Sequence, residues 1–197
     1  MNYNEEMKKI IASLDSKKKL LLHSCCGPCS TSVIERLKDY FDITVLYYNP
    51  NIEPKEEYLH RKSEQLRVLK ELNIKSMDID YLNEEYHAKI TGYESEPENG
   101  LRCPICYELR MAKTAKLAKE NNFDYFCTTL TVSPHKPSKI INEIGLKLEK
   151  EYQIKYLLSD FKKEDGYKRS IELSKEYDLY RQDYCGCLYS RRNNNEE

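Results

Sequence analysis

Apolar and polar positions follow two alternating patterns along this chain. Short apolar runs predict five strands, at residues 19–23, 43–47, 75–79, 124–129 and 154–158. Longer segments with apolar residues at helical spacing predict helices among them, at residues 29–40, 56–72, 105–119, 136–150 and 165–177. Strands that alternate with helices of this length predict an α/β fold of three layers, in which helices cover both faces of a mostly parallel sheet.

The same pattern makes three more specific predictions. The helix at 56–72 is expected to bury a stripe formed by Leu59, Leu66 and Leu69. The segment 83–100 is polar and is expected to end in a loop, Glu96-Pro97-Glu98-Asn99-Gly100. No repeat or linker interrupts the pattern, so residues 1–190 are expected to form one α/β domain, followed by a disordered tail at 191–197 that is rich in Asn and Glu.

The composition favours a protein of the cytoplasm. Residues 1–19 are too polar for a signal peptide, and no apolar run approaches the ~20 residues of a membrane helix. Charged residues make up 33% of the chain, yet the net charge is −1, so no bulk attraction to nucleic acid is expected. In a reducing compartment, the eight cysteines favour metal binding or catalysis over structural disulfides.

Seven of the eight cysteines fall in three tight clusters. The clusters are Cys25, Cys26 and Cys29; Cys103 and Cys106; and Cys185 and Cys187. Such spacing is typical of metal ligation or redox exchange, where two or more sulfurs must point at one centre. Cys127 stands alone in a predicted strand, and we expect it to serve packing.

The first two clusters allow more than one chemistry. Cys26-Gly27-Pro28-Cys29 matches the redox motif of thioredoxin-like oxidoreductases, in which a helix N-terminus activates a thiolate. Cys103 and Cys106 form a two-sulfur half-site, which needs a second pair such as Cys25 and Cys26, or Cys26 and Cys29. A zinc site that stabilises a tRNA-binding or sulfur-transfer protein is therefore a third interpretation.

The third cluster differs in kind. Two cysteines separated by one glycine, as in Cys185-Gly186-Cys187, can close a small disulfide that is easily reduced. A redox relay is therefore one interpretation of this pair, and metal ligation is the competing one.

Three other side chains are candidates because of their places at predicted strand ends and helix starts. His23 ends the first strand and is expected to be a hydrogen-bonded core residue. His135 precedes a predicted helix, where it could contact a phosphate or cap the helix. Asp160 follows the fifth strand and is a candidate proton donor or metal partner, with a surface turn as the alternative.

Basic residues gather locally despite the neutral total. Each group, taken alone, is typical of a solvated helix face. The residues that we single out as candidate phosphate contacts are Arg102, Arg110, Lys136, Lys168 and Arg169.

Six segments, in this order, closely resemble the cobalamin-independent epoxyqueuosine reductases, which complete the tRNA modification queuosine. The segments are HSCCGPCST, YYNPNIEPKEEY, RCPICYELRMAKTAKLA, FCTTLTVSPHK, SDFKKEDGYKRSIELSKEY and LYRQDYCGC. They extend over nearly the whole chain, from about Lys19 to Cys187. The resemblance implies a nucleotide-hydrolase-like (HUP-type) α/β fold, shared with PP-loop tRNA enzymes, and the reductive removal of an epoxide oxygen at the wobble position of tRNA.

The resemblance also implies the cofactors and partners. Cys25, Cys26, Cys103 and Cys106 would hold a [4Fe–4S] cluster, and Cys29 would serve an additional mononuclear iron. Cys185 and Cys187 would form a redox-active disulfide. The substrate would be a tRNA anticodon loop that carries epoxyqueuosine, gripped by the local basic residues and stacked on tyrosine or arginine. An external electron donor is required, and no membrane is involved.

Overall fold

A five-stranded, all-parallel sheet forms the centre of the molecule in the computed structural model, which describes residues 1–190. The strand order is β3-β2-β1-β4-β5. The strands are β1 (Lys18–His23), β2 (Phe41–Leu46), β3 (Lys75–Met77), β4 (Tyr125–Thr128) and β5 (Lys155–Tyr156). The central strand β1 pairs with β2 on one side and with β4 on the other. The parallel sheet predicted from the sequence is therefore confirmed.

Seven helices cover the two faces of the sheet in the described part of the chain. They are α1 (Tyr3–Ala12), α2 (Gly27–Leu37), α3 (Lys55–Glu71), α4 (Asn83–Ile90), α5 (Arg102–Glu120), α6 (Ser138–Tyr152) and α7 (Gly166–Glu176). The strand β1 shows how the layers form. Leu20 and Leu22 pack with residues of α1, α2 and α3 on one face, whereas Leu21 packs with α5 and α6 on the other.

Two helices lie where the sequence pattern predicted none. The helix α1 precedes the first strand and buries Met7. The helix α4 occupies part of the polar segment 83–100, before its predicted loop, and it buries Tyr86 and Ile90. These two residues are four apart, so they share one face of a two-turn helix that packs against α5. So short an apolar stripe does not stand out in a polar segment.

The stripe predicted for the helix α3 is wrong for two of its three residues. Leu59 is 50% exposed and Leu66 is 39% exposed, whereas Leu69 is buried. The face that α3 turns inward carries Tyr58, Arg61, Gln65 and Val68 as well. Polar side chains occupy this face because the helix borders the cysteine loops, and the apolar period alone could not detect them.

The first cysteine cluster lies at the carboxyl edge of the sheet. It begins two residues after β1 ends, and Thr129 directly follows β4. In parallel sheets, ligands bind at this edge. No helix within residues 1–190 combines the length and the apolar character needed to cross a bilayer. The tail predicted at 191–197 lies outside the described residues.

Candidate metal centre

The loop between β1 and α2 brings three thiols together. Cys26 is the N-cap of α2, and the helix begins at Gly27 with a proline in its first turn. The sulfur atoms of Cys25, Cys26 and Cys29 all lie within 4.8 Å of one another. The sulfurs of Cys25 and Cys26 are 3.8 Å apart. Three converging sulfurs are a donor set that suits zinc or iron.

The three thiols differ in their acidity. Hydrogen bonds from Cys26 and Cys29 hold the pKa of Cys25 well below its usual range, with further help from the Lys136 ammonium and the Thr129 hydroxyl. The hydrogen bond to Cys25 raises the pKa of Cys26 to about 12. The pKa of Cys29 is also raised, first by its contact with Cys25. The loop therefore favours one negative charge, shared by three sulfurs.

The second pair, Cys103 and Cys106, lies at the start of α5. Their spacing places both on one face of the helix. The backbone N–H of Asn99 donates to Cys103 Sγ at 3.3 Å, and burial raises the pKa of Cys106 to about 11. Both residues line a cleft. They lie outside the three-sulfur group of the first loop.

The third pair, Cys185 and Cys187, lines the same cleft, and both cysteines are free thiols. Gly186 between them has φ +99°, a conformation that glycine adopts without strain. A hydrogen bond from Cys187 lowers the pKa of Cys185 to about 5, although burial opposes this shift. The pKa of Cys187 is raised, first by its contact with Cys185 and then by burial.

Two cations connect the three cysteine clusters. Arg110 is buried, and its guanidinium donates to Asn49 Oδ1 at 3.2 Å. Burial lowers the pKa of Arg110, but the nearby charges of Cys106 and Cys25 more than offset this. The pKa of Lys136 is raised in the same way, with Cys25 and Cys185 as its largest opposing charges. Both cations line the cleft and would offset thiolate charge there.

The other basic candidates have different surroundings. Arg102 lines the cleft, but its guanidinium donates to the carbonyl groups of Tyr93, Glu94 and Glu96. Arg169 lies on α7 and is paired with Glu35 at 2.9 Å. Its neighbour Lys168 is exposed on the same helix, and neither residue lines the cleft.

Three further predictions can be compared with the structure. His23 is fully buried between Thr128 Oγ1, 2.9 Å from Nδ1, and the Tyr48 carbonyl, 3.0 Å from Nε2, which confirms a hydrogen-bonded core histidine. Cys127 packs in the core as predicted. His135 is exposed and does not cap α6, whose N-cap is Pro137.

Asp160 is not part of an open surface turn, because it is only 7% exposed. Its carboxylate lies 2.8 Å from the Lys162 ammonium, and it does not line the cleft. The cleft instead includes Asn51, Tyr86 and Ser190. Sequence reasoning did not single out these three residues, since Asn51 lies in a turn, Tyr86 in a polar segment, and Ser190 beyond the last recognised motif.

A family model for epoxyqueuosine reductase QueH matches residues 20–193 of this chain. The chain belongs to this family. It is 44% identical to the epoxyqueuosine reductase QueH of Streptococcus pyogenes serotype M1, with 98% of this chain and 79% of that protein covered. It is 32% identical to the protein of that name from Thermotoga maritima, with 87% and 89% covered. Membership of this family makes the chain an oxidoreductase of queuosine modification.

A solved structure supports the fold assignment. The U34-tRNA thiolase NcsA from Methanococcus maripaludis, solved with its [4Fe-4S] cluster, matches with a TM-score of 0.56. The match has 14% sequence identity and covers 95% of this chain and 67% of that chain. At this identity the similarity concerns the fold alone, and it agrees with the nucleotide-hydrolase-like α/β fold expected from the sequence.

Proposed function

We propose that this protein reduces epoxyqueuosine to queuosine at the wobble position of tRNA. One observation carries the proposal to this chain's own residues, namely the convergence of the sulfur atoms of Cys25, Cys26 and Cys29 within 4.8 Å of one another. They stand beside a cleft that Cys103, Cys106, Cys185 and Cys187 line. The reaction is inferred from the relatives, which are named epoxyqueuosine reductases. The converging thiols are the residues that could bind a redox-active metal.

We assign Cys25, Cys26, Cys103 and Cys106 as the ligands of a [4Fe–4S] cluster, and Cys29 as a ligand of an additional iron. The donor set fits such groups, because all five are thiols and Cys25 is the most acidic of its loop. Bound iron would supply a Lewis acid for the epoxide oxygen and electrons for its removal. Arg110 and Lys136 would offset the negative charge of the thiolates.

The electron count gives Cys185 and Cys187 a role. Removing an epoxide oxygen as water consumes two electrons and two protons and leaves an alkene. Oxidation of a dithiol to a disulfide releases the same two electrons and two protons. Both thiols line the cleft, so we assign them as a redox pair, which an external electron donor must reduce after each turnover.

The chemistry of the residues that line the cleft suits a tRNA substrate. Bases of an anticodon loop can be splayed out and stacked on aromatic or guanidinium groups, and Tyr107 and Arg110 line the cleft. Lys136 lies at its wall and is a contact for a phosphate or for the substrate, with His135 adjacent to it in sequence. A tRNA substrate also assigns the enzyme to the cytoplasm.

The thiol acidities argue against a thioredoxin-like alternative. In such enzymes the first cysteine of CGPC is the activated nucleophile. Here the pKa of Cys26 is raised to about 12, and the lowered pKa belongs to Cys25, outside the motif. The observation favours a shared metal site over thiol exchange at this loop.

Anaerobic purification tests the proposal. The protein should be brown, absorb broadly near about 400 nm and contain about four or five iron atoms per chain. It should convert epoxyqueuosine in tRNA to queuosine, as measured by mass spectrometry of digested nucleosides. Cys106→Ser should lose iron and activity, while the matched control Cys127→Ser should keep both. A colourless zinc protein, or equal iron in the two variants, would contradict the assignment.

A further inference from the structure

The two cysteines of the Cys185–Cys187 pair have unequal surroundings. Cys187 is 6% exposed and packs with Tyr86, Ile90 and Cys106. Cys185 is half-buried. Thiol exchange requires the attacking sulfur to reach one particular sulfur of the disulfide. The difference in burial therefore makes Cys185 the accessible sulfur.

A buried tyrosine distinguishes the pair further. The hydroxyl of Tyr86 lies 2.9 Å from Cys187 Sγ, and Tyr86 has no exposed surface. A buried hydroxyl needs a hydrogen-bond partner, and a departing thiolate is an acceptor for its proton. The position of Tyr86 is explained if Cys187 carries negative charge at some stage of the reaction.

Ser190 makes the matching contact to the other cysteine. Its hydroxyl donates to the Cys187 carbonyl at 2.9 Å and lies 2.8 Å from Cys185 Sγ. Each sulfur of the pair therefore has a hydroxyl neighbour, and the two differ in burial, since Cys187 is enclosed and Cys185 is half-buried.

Contacts of the backbone at Gly186 fix the orientation of the turn that carries the two cysteines. The N–H of Glu53 donates to the Gly186 carbonyl at 2.9 Å. A Cβ atom at position 186 would meet Ile52 Cγ1 at 2.7 Å and the Arg61 guanidinium at 3.1 Å. The turn is therefore held against the wall of the protein, with Cys187 on the inner side.

We propose that an external dithiol reductant attacks Cys185 Sγ and that Cys187 is the leaving sulfur, stabilised by the Tyr86 hydroxyl. This inference rests on the proposed redox role of the pair. In the first step, a thiolate of the reductant bonds to Cys185 Sγ, and the Cys185–Cys187 bond breaks. Cys187 departs with the electron pair, accepts the hydrogen bond of Tyr86 and takes up a proton.

The second step completes the electron balance. The remaining thiol of the reductant attacks its own sulfur in the mixed disulfide, so that a disulfide forms on the reductant and Cys185 leaves as a thiolate, which takes up the second proton. The protein gains two electrons and two protons, and the reductant loses the same number. Tyr86 is thus a positioning residue that acts through Cys187.

Mixed-disulfide formation tests the assignment on the iron-loaded protein. Cys187→Ser and Cys185→Ser are each treated anaerobically with glutathione disulfide, and adducts are located by peptide mass spectrometry. Cys185 in the first variant should form its adduct about tenfold faster than Cys187 does in the second, because Cys187 is buried. Equal rates, or faster reaction at Cys187, would overturn the proposal. Iron content reports whether both variants are intact.

Tyr86→Phe provides a second measurement that does not remove a cysteine. It should slow reduction of the Cys185–Cys187 disulfide by dithiothreitol several-fold, without changing iron content. The control is Tyr189→Phe, whose ring packs in the same cluster and which should reduce at the wild-type rate. An unchanged rate in Tyr86→Phe would overturn the role of this tyrosine.

The proposed function and this inference fail in different ways. If a Cys185→Ser/Cys187→Ser variant kept its iron and sustained multiple turnovers, the two cysteines would have no part in the reaction. Normal turnover in that variant refutes both roles together, whereas reversed adduct rates refute only the order of attack.

Discussion

The guanidinium of Arg102 lies 5.0 Å from the centre of the Tyr189 ring. The same side chain donates to the carbonyl oxygens of Tyr93 at 3.3 Å and Glu94 at 3.0 Å, and to that of Glu96. Arg102 is the first residue of α5 and precedes Cys103. It therefore joins the polar segment after α4 to the C-terminal segment that carries Cys185 and Cys187, directly beside a proposed iron ligand.

Arg102→Met should destabilise the protein by about 2–3 kcal/mol, because it removes charged hydrogen bonds to backbone carbonyls from a residue that is only 1% exposed. Urea unfolding of the anaerobic protein measures the change. The control Arg169→Met removes a guanidinium that is 41% exposed and paired with Glu35, and should cost less than about 1 kcal/mol. Similar losses in the two variants would contradict a joining role for Arg102.

The sequence predicted the sheet more completely than it predicted this joining region. The strands β1 and β4 are continuous apolar runs, which is the pattern of strands buried on both faces. The helix α4 has only Tyr86 and Ile90 to mark its buried face, so its pattern is too short to recognise. Arg102 looked like a phosphate contact because an arginine's hydrogen-bond partners depend on the fold, which composition does not encode.

Lys136→Met should shift the reduction potential of the bound iron–sulfur cluster to more negative values. The side chain lies near enough to Cys25 and Cys185 for their charges to raise its pKa, and removing a cation makes it harder to add an electron nearby. A redox titration monitored by electron paramagnetic resonance measures the shift.

Lys139→Met is the matched control for this experiment. Its side chain is 79% exposed and lies 3.9 Å from Glu143, so solvent screens its charge. The potential of this variant should equal that of the wild type. If Lys136→Met left the potential unchanged as well, the cation would not act on the cluster.

Glu64→Gln should remove part of the pH dependence of stability. The Arg67 guanidinium lowers the pKa of Glu64 below its usual value of 4.5, with help from the Tyr180 N–H. A carboxyl whose folded pKa is lowered stabilises the protein above its unfolded pKa, and this stabilisation is lost as the pH falls through the folded pKa. Glu64 contacts the backbone N–H of Tyr180 at 3.0 Å, so it ties α3 to the C-terminal segment.

Urea unfolding of iron-free protein between pH 3.5 and pH 7 measures this effect. Wild type should be more stable than Glu64→Gln near neutral pH, and the difference should shrink as the pH falls below about 4.5. The control Glu176→Gln removes an exposed carboxylate at the end of α7 and should follow the wild-type profile. A difference that stays constant with pH would contradict the role assigned to Glu64.

The sequence predicted which residues of the candidate site carry its chemistry, but not which cysteine clusters lie close together in the fold. Cysteine spacing identified all seven clustered thiols, because tight spacing brings sulfurs together whatever the fold. It could not show that Cys106 shares a cleft with Cys187. That relationship joins segments about 80 residues apart in the chain, and only the packing of α5 and the C-terminal segment brings them together.

Gly145→Ala should destabilise the protein even though alanine favours helices. A Cβ atom at this position of α6 would lie 2.2 Å from Tyr156 Cε1 and 2.4 Å from its Cδ1 and Cζ atoms. The Tyr156 ring is 2% exposed and packs against Phe126 at 5.0 Å, so it has little room to move. Overpacking costs about 1–3 kcal/mol, against about 1 kcal/mol gained in helix propensity.

The expected result is a net loss of about 1–2 kcal/mol in the free energy of unfolding, measured by urea denaturation. The double variant Gly145→Ala/Tyr156→Val should show a smaller loss than the sum of the two single changes, because the smaller side chain removes the clash. Additive losses would mean that the ring and position 145 do not compete for space. The strand β5 is only two residues long and makes few ladder hydrogen bonds. The contact between Gly145 of α6 and the Tyr156 ring therefore helps to hold this outer strand in place.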